Sequence, residues 1–259
     1  MILHAIEAGV GPAVVFLHGL FGSSRNFGMF QRELAARFRV ISLDLRNHGA
    51  SPHGSPMRYD VLADDVMETL SAMGALPAVL IGHSMGGKTA MMAALSHPGD
   101  VARLLVSDIA PVAYQHGNLC VTAAMQAIPL TPDLTRALAD AALAGVVSDP
   151  TVRAFLLQNL RLGAAPAWRI GLAEIAAAIP DLEGWETPSG RYRGPALFVT
   201  GARSDYVLPE HRPAIRALFP AARFVAVKNA GHWVHGDNPA GFAAVLDAFL
   251  HGWNGEHAP

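Results

Sequence analysis

Residues 82–89 read Gly-His-Ser-Met-Gly-Gly-Lys-Thr, and the octet meets two incompatible catalytic patterns at once. From Gly82 to Gly86 it is G-x-S-x-G, a turn that lifts a serine hydroxyl off the end of a strand. From Gly82 to Thr89 it is G-x-x-x-x-G-K-[ST], a loop that wraps backbone amides around phosphates. Both need a buried strand before the octet and a helix after it. The apolar run Ala78-Val79-Leu80-Ile81 and the Ala- and Met-rich stretch from Lys88 to Leu95 supply them. The octet thus commits the chain to a strand–turn–helix unit, and the choice of chemistry falls to the residues around it.

Four apolar runs in the first 112 residues read as buried strands: 13–17, 38–43, 78–81 and 103–107. Helical patterns near 26–37, 59–73 and 85–96 separate them. That alternation predicts an α/β fold with a mostly parallel central sheet flanked by helices on both faces. From 113 to 192 no strand signal appears; helix-like stretches run over 132–146, 150–160 and 167–179. Pro132 and Pro150 each follow a Thr or Asp, which suits Pro at the first position of a helix. Strand patterns resume at 195–200 and 223–227, and an amphipathic helix over Pro239 to Leu250 closes the chain. The expected organisation is a core made of 1–112 and 193–259, with 113–192 inserted as a helical lid. A packing extension with no role at the site is the blander alternative for that block.

Apolar residues make up 51% of the 259 and charged residues 15%, enough for a large core. A net charge of −2 and the lack of a sustained basic run exclude nucleic acid or an anionic membrane as the main partner. No apolar stretch approaches the roughly 18–20 residues of a spanning helix. Met1 to Glu7 lacks the basic, apolar, small-residue order of a secretory signal. A soluble, cytoplasmic chain is expected. Cys120 is the single cysteine, so no intrachain disulfide can form, and an inert buried thiol is its expected state.

The phosphate reading leaves too much unused. Such loops usually follow the first strand of their domain and work with a magnesium-holding Asp. Here a full α/β segment precedes the octet, and only the strand end Val106-Ser107-Asp108 offers that Asp. His18-Gly19 and Gly231-His232 would have no role. The serine reading uses every piece and makes Lys88 a residue one turn into the helix. A serine hydroxyl is a weak nucleophile until an imidazole takes its proton, and a carboxylate must orient that imidazole. Ser84 stands at the turn, Asp108 and Asp205 follow later strands, and His232 follows the last strand. The backbone amides of Leu20, after the first buried strand, and of Met85 are the candidate oxyanion donors. One such donor typically lowers the barrier by about 3–4 kcal/mol.

Taken together, the segments 18–23, 44–49, 82–88, 108–111 and 231–235 resemble the α/β-hydrolase superfamily, specifically a carboxylesterase-type branch. The resemblance spans nearly the whole chain outside 113–192. It implies hydrolysis of carboxylic ester or thioester bonds in a small acyl substrate through an acyl-serine, without metal or cofactor. Carbon–carbon bond hydrolases and cofactor-free perhydrolases use the same triad and stay as alternatives. A non-catalytic binding module of the same fold is the remaining class, although such a module usually lacks a triad member. Epoxide hydrolases and dehalogenases use a carboxylate nucleophile, against which Ser84 speaks.

Two carboxylates compete to stand behind His232. Asp205 follows the strand where most members of the superfamily carry their acid, but the usual G-x-x-D spacing from Gly201 lands on Ser204. Asp108 ends the preceding strand in Asp108-Ile109-Ala110-Pro111, a stretch the resembling esterases share and in which they carry their acid. Asp108 is favoured and Asp205 is the alternative. Phe21, His83 and Trp233 are candidate pocket residues, with packing beneath the site as an equal reading for His83. Phe155, Leu156, Trp168 and Trp185 are candidates for an apolar entrance, or plain core. Arg191 and Arg193 are candidates to meet an anionic group such as a carrier phosphate. His235 reads as an anchor for the His232 loop rather than a metal ligand, because no third ligand stands at suitable spacing. Arg46, Asn47 and His48 read as loop-stabilising groups, with a place in the pocket wall as the alternative for Arg46 and Asn47. Oligomeric state leaves no signal in the sequence.

Overall fold

The computed structural model describes residues 1–115 and 117–255. Along the chain, β1 (Ala5–Ala8) and β2 (Ala13–Leu17) lead to α1 (Gly28–Leu34), β3 (Arg39–Leu43), α2 (Tyr59–Ala72), β4 (Ala78–His83), α3 (Met85–Ser96) and β5 (Val101–Ser107). An inserted segment follows with α4 (Asn118–Gln126), α5 (Arg136–Leu143), α6 (Pro150–Leu157), β6 (Leu160–Arg161), β7 (Ala167–Trp168) and α7 (Leu172–Glu183). The sheet then resumes with β8 (Ala196–Gly201), α8 (Arg212–Leu218), β9 (Ala222–Val227), α9 (Val234–Asp237) and α10 (Pro239–Leu250).

The main sheet runs β1-β3-β2-β4-β5-β8-β9, and among the described strands β1 alone pairs antiparallel in it. β2 and β4 are buried at every residue, as a parallel sheet covered on both faces requires. Successive side chains of a strand point to opposite faces. Accordingly Val15 and Leu17 pack into one core with α2, α3 and the inserted segment, while Val14 and Phe16 join a second with α1 and α10.

The strand order places the site. After β3 the chain returns to lay β4 beside β2, so the connections leave the carboxyl ends of β2 and β4 in opposite directions. Such a reversal opens a crevice at the strand ends. The loops after β2, β4, β5, β8 and β9 all emerge on that edge, carrying Leu20, Ser84, Asp108, Ser204 and His232 respectively.

Several expectations need correction. The half-buried edge strand β1 was not foreseen, since four residues give too short a pattern to register. The segment expected to be all helical contains the β6–β7 ribbon. α5 starts after Thr135, whose hydroxyl accepts the Leu138 amide, rather than at Pro132. α6 does begin at Pro150, with Asp149 capping the Thr151 amide at 2.7 Å. The last helix of the segment lies over 172–183 rather than 167–179, and α4 and α8 are helices that no expected stretch covers. Cys120 is exposed, not buried.

Candidate active site

The turn from β4 to α3 explains the glycines of the octet. Ser84 adopts φ 52° and ψ −117°, a strained conformation for a residue with a side chain. The strain is held because the turn is packed from both sides. A Cβ on Gly82 would collide with the Gly86 carbonyl, and one on Gly86 with the Leu17 carbonyl at the end of β2. Only hydrogen fits at either place. The turn lifts Ser84 into a cavity of about 750 Å³ and makes Met85 the first residue of a helix, where an amide has no intrahelical acceptor.

Three elements far apart in sequence converge on Ser84. His232, from the loop after β9, places Nε2 3.0 Å from Ser84 Oγ and Nδ1 2.9 Å from Asp108 Oδ2. Because a carboxylate only accepts, Nδ1 carries the proton and Nε2 is free to accept the serine hydroxyl. Asp108 is fully buried and, like Ser84, sits at positive φ, here 54°. It also accepts the Gly201 amide at 3.0 Å and the Ser204 hydroxyl. Asp205 is exposed and makes no hydrogen bond to His232. Of the two candidate acids, the structure brings Asp108 to the imidazole and leaves Asp205 outside.

Ser204 was missed as a site residue, although it was visible as the misfit in the G-x-x-D spacing. It occupies the place where an acid was sought after β8 and donates to the acid that comes from β5. Burial pushes the Asp108 carboxyl up, to about 7, against the hydrogen bonds from Ser204 and the Gly201 amide. An orienting role for Asp108 requires its ionised form, so kcat/KM is expected to decline on the acid side of neutrality. Removing a donor to the charged form raises the carboxyl further. A hydrogen bond to a charged group is worth about 1.5–3 kcal/mol, and Ser204 is only half-buried. Ser204→Ala should therefore shift the acid limb of kcat/KM upward by about half a unit to one unit. An unmoved or lowered limb in a pH–rate series would contradict this.

Tyr206 stacks on the His232 ring at 3.5 Å between centroids and 19° between planes. Tyr114 fixes it by donating to the Tyr206 carbonyl at 2.7 Å while accepting the Ala110 amide at 2.9 Å. Neither tyrosine was marked in the sequence, because a stacking partner brought by a loop has no spacing rule. On the other side His83 lies 4.8 Å from His232 and donates Nε2–H to its carbonyl at 2.9 Å. Burial lowers His83 to about 3, so it remains neutral. His83 lines the cavity and packs against His232. His235 sits between Phe27 and His83, each 4.8 Å away, and burial keeps it neutral as well.

Leu20, Phe21, Met85 and Trp233 line the same cavity, as do Phe155 and Leu156 of α6. Trp168 and Trp185 do not, and the entrance role considered for them is corrected to packing; Trp185 rests against Tyr59 at 6.0 Å. Arg191 and Arg193 are exposed and lie off the cavity, so the carrier-phosphate contact finds no support. Among the described residues no group of three or more His, Cys, Asp or Glu could hold a metal, and no helix is long and apolar enough to cross a membrane.

Lys88 is more than a coincidence of spacing. Its side chain is 1% exposed, and its ammonium donates to the Glu183 and Gly184 carbonyls at 3.3 and 2.6 Å, at the end of α7. The faces of Tyr59 and Tyr114 lie 5.3 and 5.0 Å away, completing a cradle of partial negative charge. Helix α3 is thereby tied to the inserted segment. Burial lowers Lys88 to about 7 from an ordinary value of 10.5. Between those values the unfolded chain binds more protons than the native one, so this group makes stability rise with pH. Urea unfolding should show the wild type gaining stability on Lys88→Met as pH is raised from neutral toward 9; a constant difference would contradict the assignment.

The family model described as alpha/beta hydrolase fold matches residues 12–239. The chain belongs to the α/β-hydrolase family. It is 42% identical over 248 residues to the mouse sn-1-specific diacylglycerol lipase ABHD11, covering 92% of this chain and 81% of that protein. It is 35% identical over 240 residues to esterase YbfF of Escherichia coli, covering 92% of each. Among solved structures, a marine microorganism esterase superposes with a TM-score of 0.92 at 34% identity, covering 96% of this chain and all of that one.

Proposed function

We propose that the chain is a serine hydrolase of carboxylic esters working through an acyl-serine intermediate. The observation that carries the reading is the unbroken relay from Ser84 through His232 to Asp108 in the cavity. Relatives named as a diacylglycerol lipase and as esterases support the same reaction class.

In this mechanism Ser84 Oγ attacks the acyl carbonyl carbon while its proton passes to His232 Nε2. Asp108 holds Nδ1–H and stabilises the imidazolium that forms. The carbonyl oxygen becomes an oxyanion and receives the Leu20 and Met85 amides, which have no acceptor among the described residues. His232 then gives its proton to the leaving alkoxide, and the acyl group stays on Ser84. Water repeats the sequence: His232 takes its proton, hydroxide attacks the acyl-serine, and the carboxylic acid leaves as Ser84 regains its hydrogen. A thiolate would depart by the same route, which keeps thioesters within the reading.

The cavity has the size of small-molecule sites and largely apolar walls, including Phe21, Ile109, Val121, Phe155, Leu182 and Trp233. Such walls favour an uncharged acyl chain. The segment 113–192 acts as the lid, because α4, α6 and α7 furnish much of the wall of the cavity that holds Ser84. Hydrolysis of p-nitrophenyl esters from acetyl to palmitoyl tests this reading. Turnover with a chain-length optimum is expected, and a folded protein inert to the whole series would overturn it.

A further inference from the structure

The loop after β2 must present one amide, that of Leu20, to an oxyanion, yet it carries no regular secondary structure to hold it. Peptide planes are rigid and trans, so fixing the carbonyl of one plane fixes the direction of its amide. Three successive planes of this loop are each held by a side chain. The Gly19 carbonyl, whose plane contains the Leu20 amide, accepts His18 Nδ1–H at 2.8 Å and the Gly22 amide at 2.9 Å. The Phe21 amide donates to His48 Nε2 at 3.1 Å. The Phe21 carbonyl accepts Asn159 Nδ2 at 2.8 Å, and Asn159 belongs to the inserted segment 138 residues away. Phe21 itself stands at φ 62°, a conformation such a bulky residue keeps only when held.

The holders are fixed in turn. His48 donates Nδ1–H to the Arg46 carbonyl at 2.9 Å, and His18 Nε2 accepts the Leu45 amide at 3.0 Å, so both rings are uncharged tautomers with defined faces. Both are buried, and burial depresses both, His48 to about 3. Asn159 is 7% exposed and gives its second amide hydrogen to the Leu156 carbonyl at 3.3 Å. A second tie joins the inserted segment to this region where the Gly171 amide donates to the Asn47 carbonyl at 2.9 Å.

We propose that His48 and Asn159 are positioning residues that hold the two peptide planes flanking Phe21, one through its amide and one through its carbonyl, and so aim the Leu20 amide at the developing oxyanion. The inserted segment then positions the oxyanion loop as well as forming a pocket wall. The inference rests on the acyl-serine reading above. Neither residue touches the substrate in this account; each acts through the loop.

The two ends of the His48 ring can be separated. His48→Gln carries an acceptor near the Nε2 position, whereas His48→Asn keeps only the donor toward the Arg46 carbonyl and leaves the Phe21 amide unpaired. Asn159→Asp removes the donor to the Phe21 carbonyl and sets a like partial charge against it. Losing an oxyanion donor outright costs about 10²–10³ in kcat, and loosening one costs less. We expect His48→Asn and Asn159→Asp each to lower kcat about 10–100-fold with KM within about twofold, and His48→Gln to stay within about threefold of wild type. Affinity for an alkyl boronic acid, whose tetrahedral adduct with Ser84 places an oxygen where the oxyanion forms, should fall in step with kcat. In the His48→Asn/Asn159→Asp double variant the losses should be markedly less than multiplicative, because one loop is being released. Unchanged kcat in both single variants, or a loss of kcat with boronate affinity intact, overturns the proposal. Should His48→Asn fail to fold, Asn159→Asp and Asn159→Ala decide the matter by the same readouts. A wild type that neither hydrolyses esters nor binds the boronate instead defeats the acyl-serine reading.

Discussion

Ser84→Ala is expected to lower kcat on a p-nitrophenyl ester by about 10⁵–10⁶ while the protein folds as before. The size follows from the mechanism. Without Oγ the covalent route is closed, and what remains is the modest help that the oxyanion amides and binding give to direct attack by water. The fold should survive because Ser84 reaches its positive φ through the packing of Gly82 and Gly86 against their neighbours, and its hydroxyl supports nothing but the site. Alanine carries the same backbone penalty as serine there. Steady-state rates with a matching thermal midpoint check this; a loss of less than a hundredfold would mean that chemistry proceeds through another group.

Asp108→Asn should cost about 10⁴ in kcat, and Asp205→Asn no more than about threefold. The asparagine at 108 would offer an amide where His232 needs an acceptor, turning the ring toward the wrong tautomer or the wrong face. It would also set a donor against the Gly201 amide or the Ser204 hydroxyl, both of which now donate to Asp108. Asp205 acts on the site only through its charge at a distance, which works against ionisation of Asp108. Side-by-side kcat measurements of the two variants check the assignment. Comparable losses in both would contradict the geometry, and a large loss confined to Asp205→Asn would invert it.

Much of the architecture is legible in the sequence because parallel strands buried on both faces produce continuous apolar runs. β2, β4 and β5 are such runs, and their order with the intervening helices is enough to place Ser84 and His232 at one edge. The octet and the late Gly231-His232 pair could be read because their chemistry needs fixed neighbours. Asp108 was the weaker inference, since two carboxylates follow strands and the sequence does not say which loop turns inward. The structure adds geometry that the sequence does not carry: Asp108 stands at positive φ against His232, and Ser204 stands where an acid after β8 would stand.

Other parts were hidden for physical reasons. Tyr206 stacks on His232, and Asn159 reaches Phe21, across separations with no periodicity to detect. Lys88 looked incidental because its partners are backbone carbonyls of a distant helix end, which leave no trace in side-chain type. Of the four candidates for an apolar entrance, Phe155 and Leu156 line the cavity while Trp168 and Trp185 pack against the core, because aromatic residues in short elements serve the core as readily as a pocket.

The central claim is that the acyl group passes through Ser84. Intact-mass spectrometry of the protein quenched in acid during turnover of a slow p-nitrophenyl ester tests it most directly. The account predicts a mass increase equal to one acyl group, mapped by peptide digestion to Ser84, decaying as substrate is exhausted and absent in Ser84→Ala. Turnover at full rate with no adduct, or an adduct on any other residue that persists in Ser84→Ala, would contradict it.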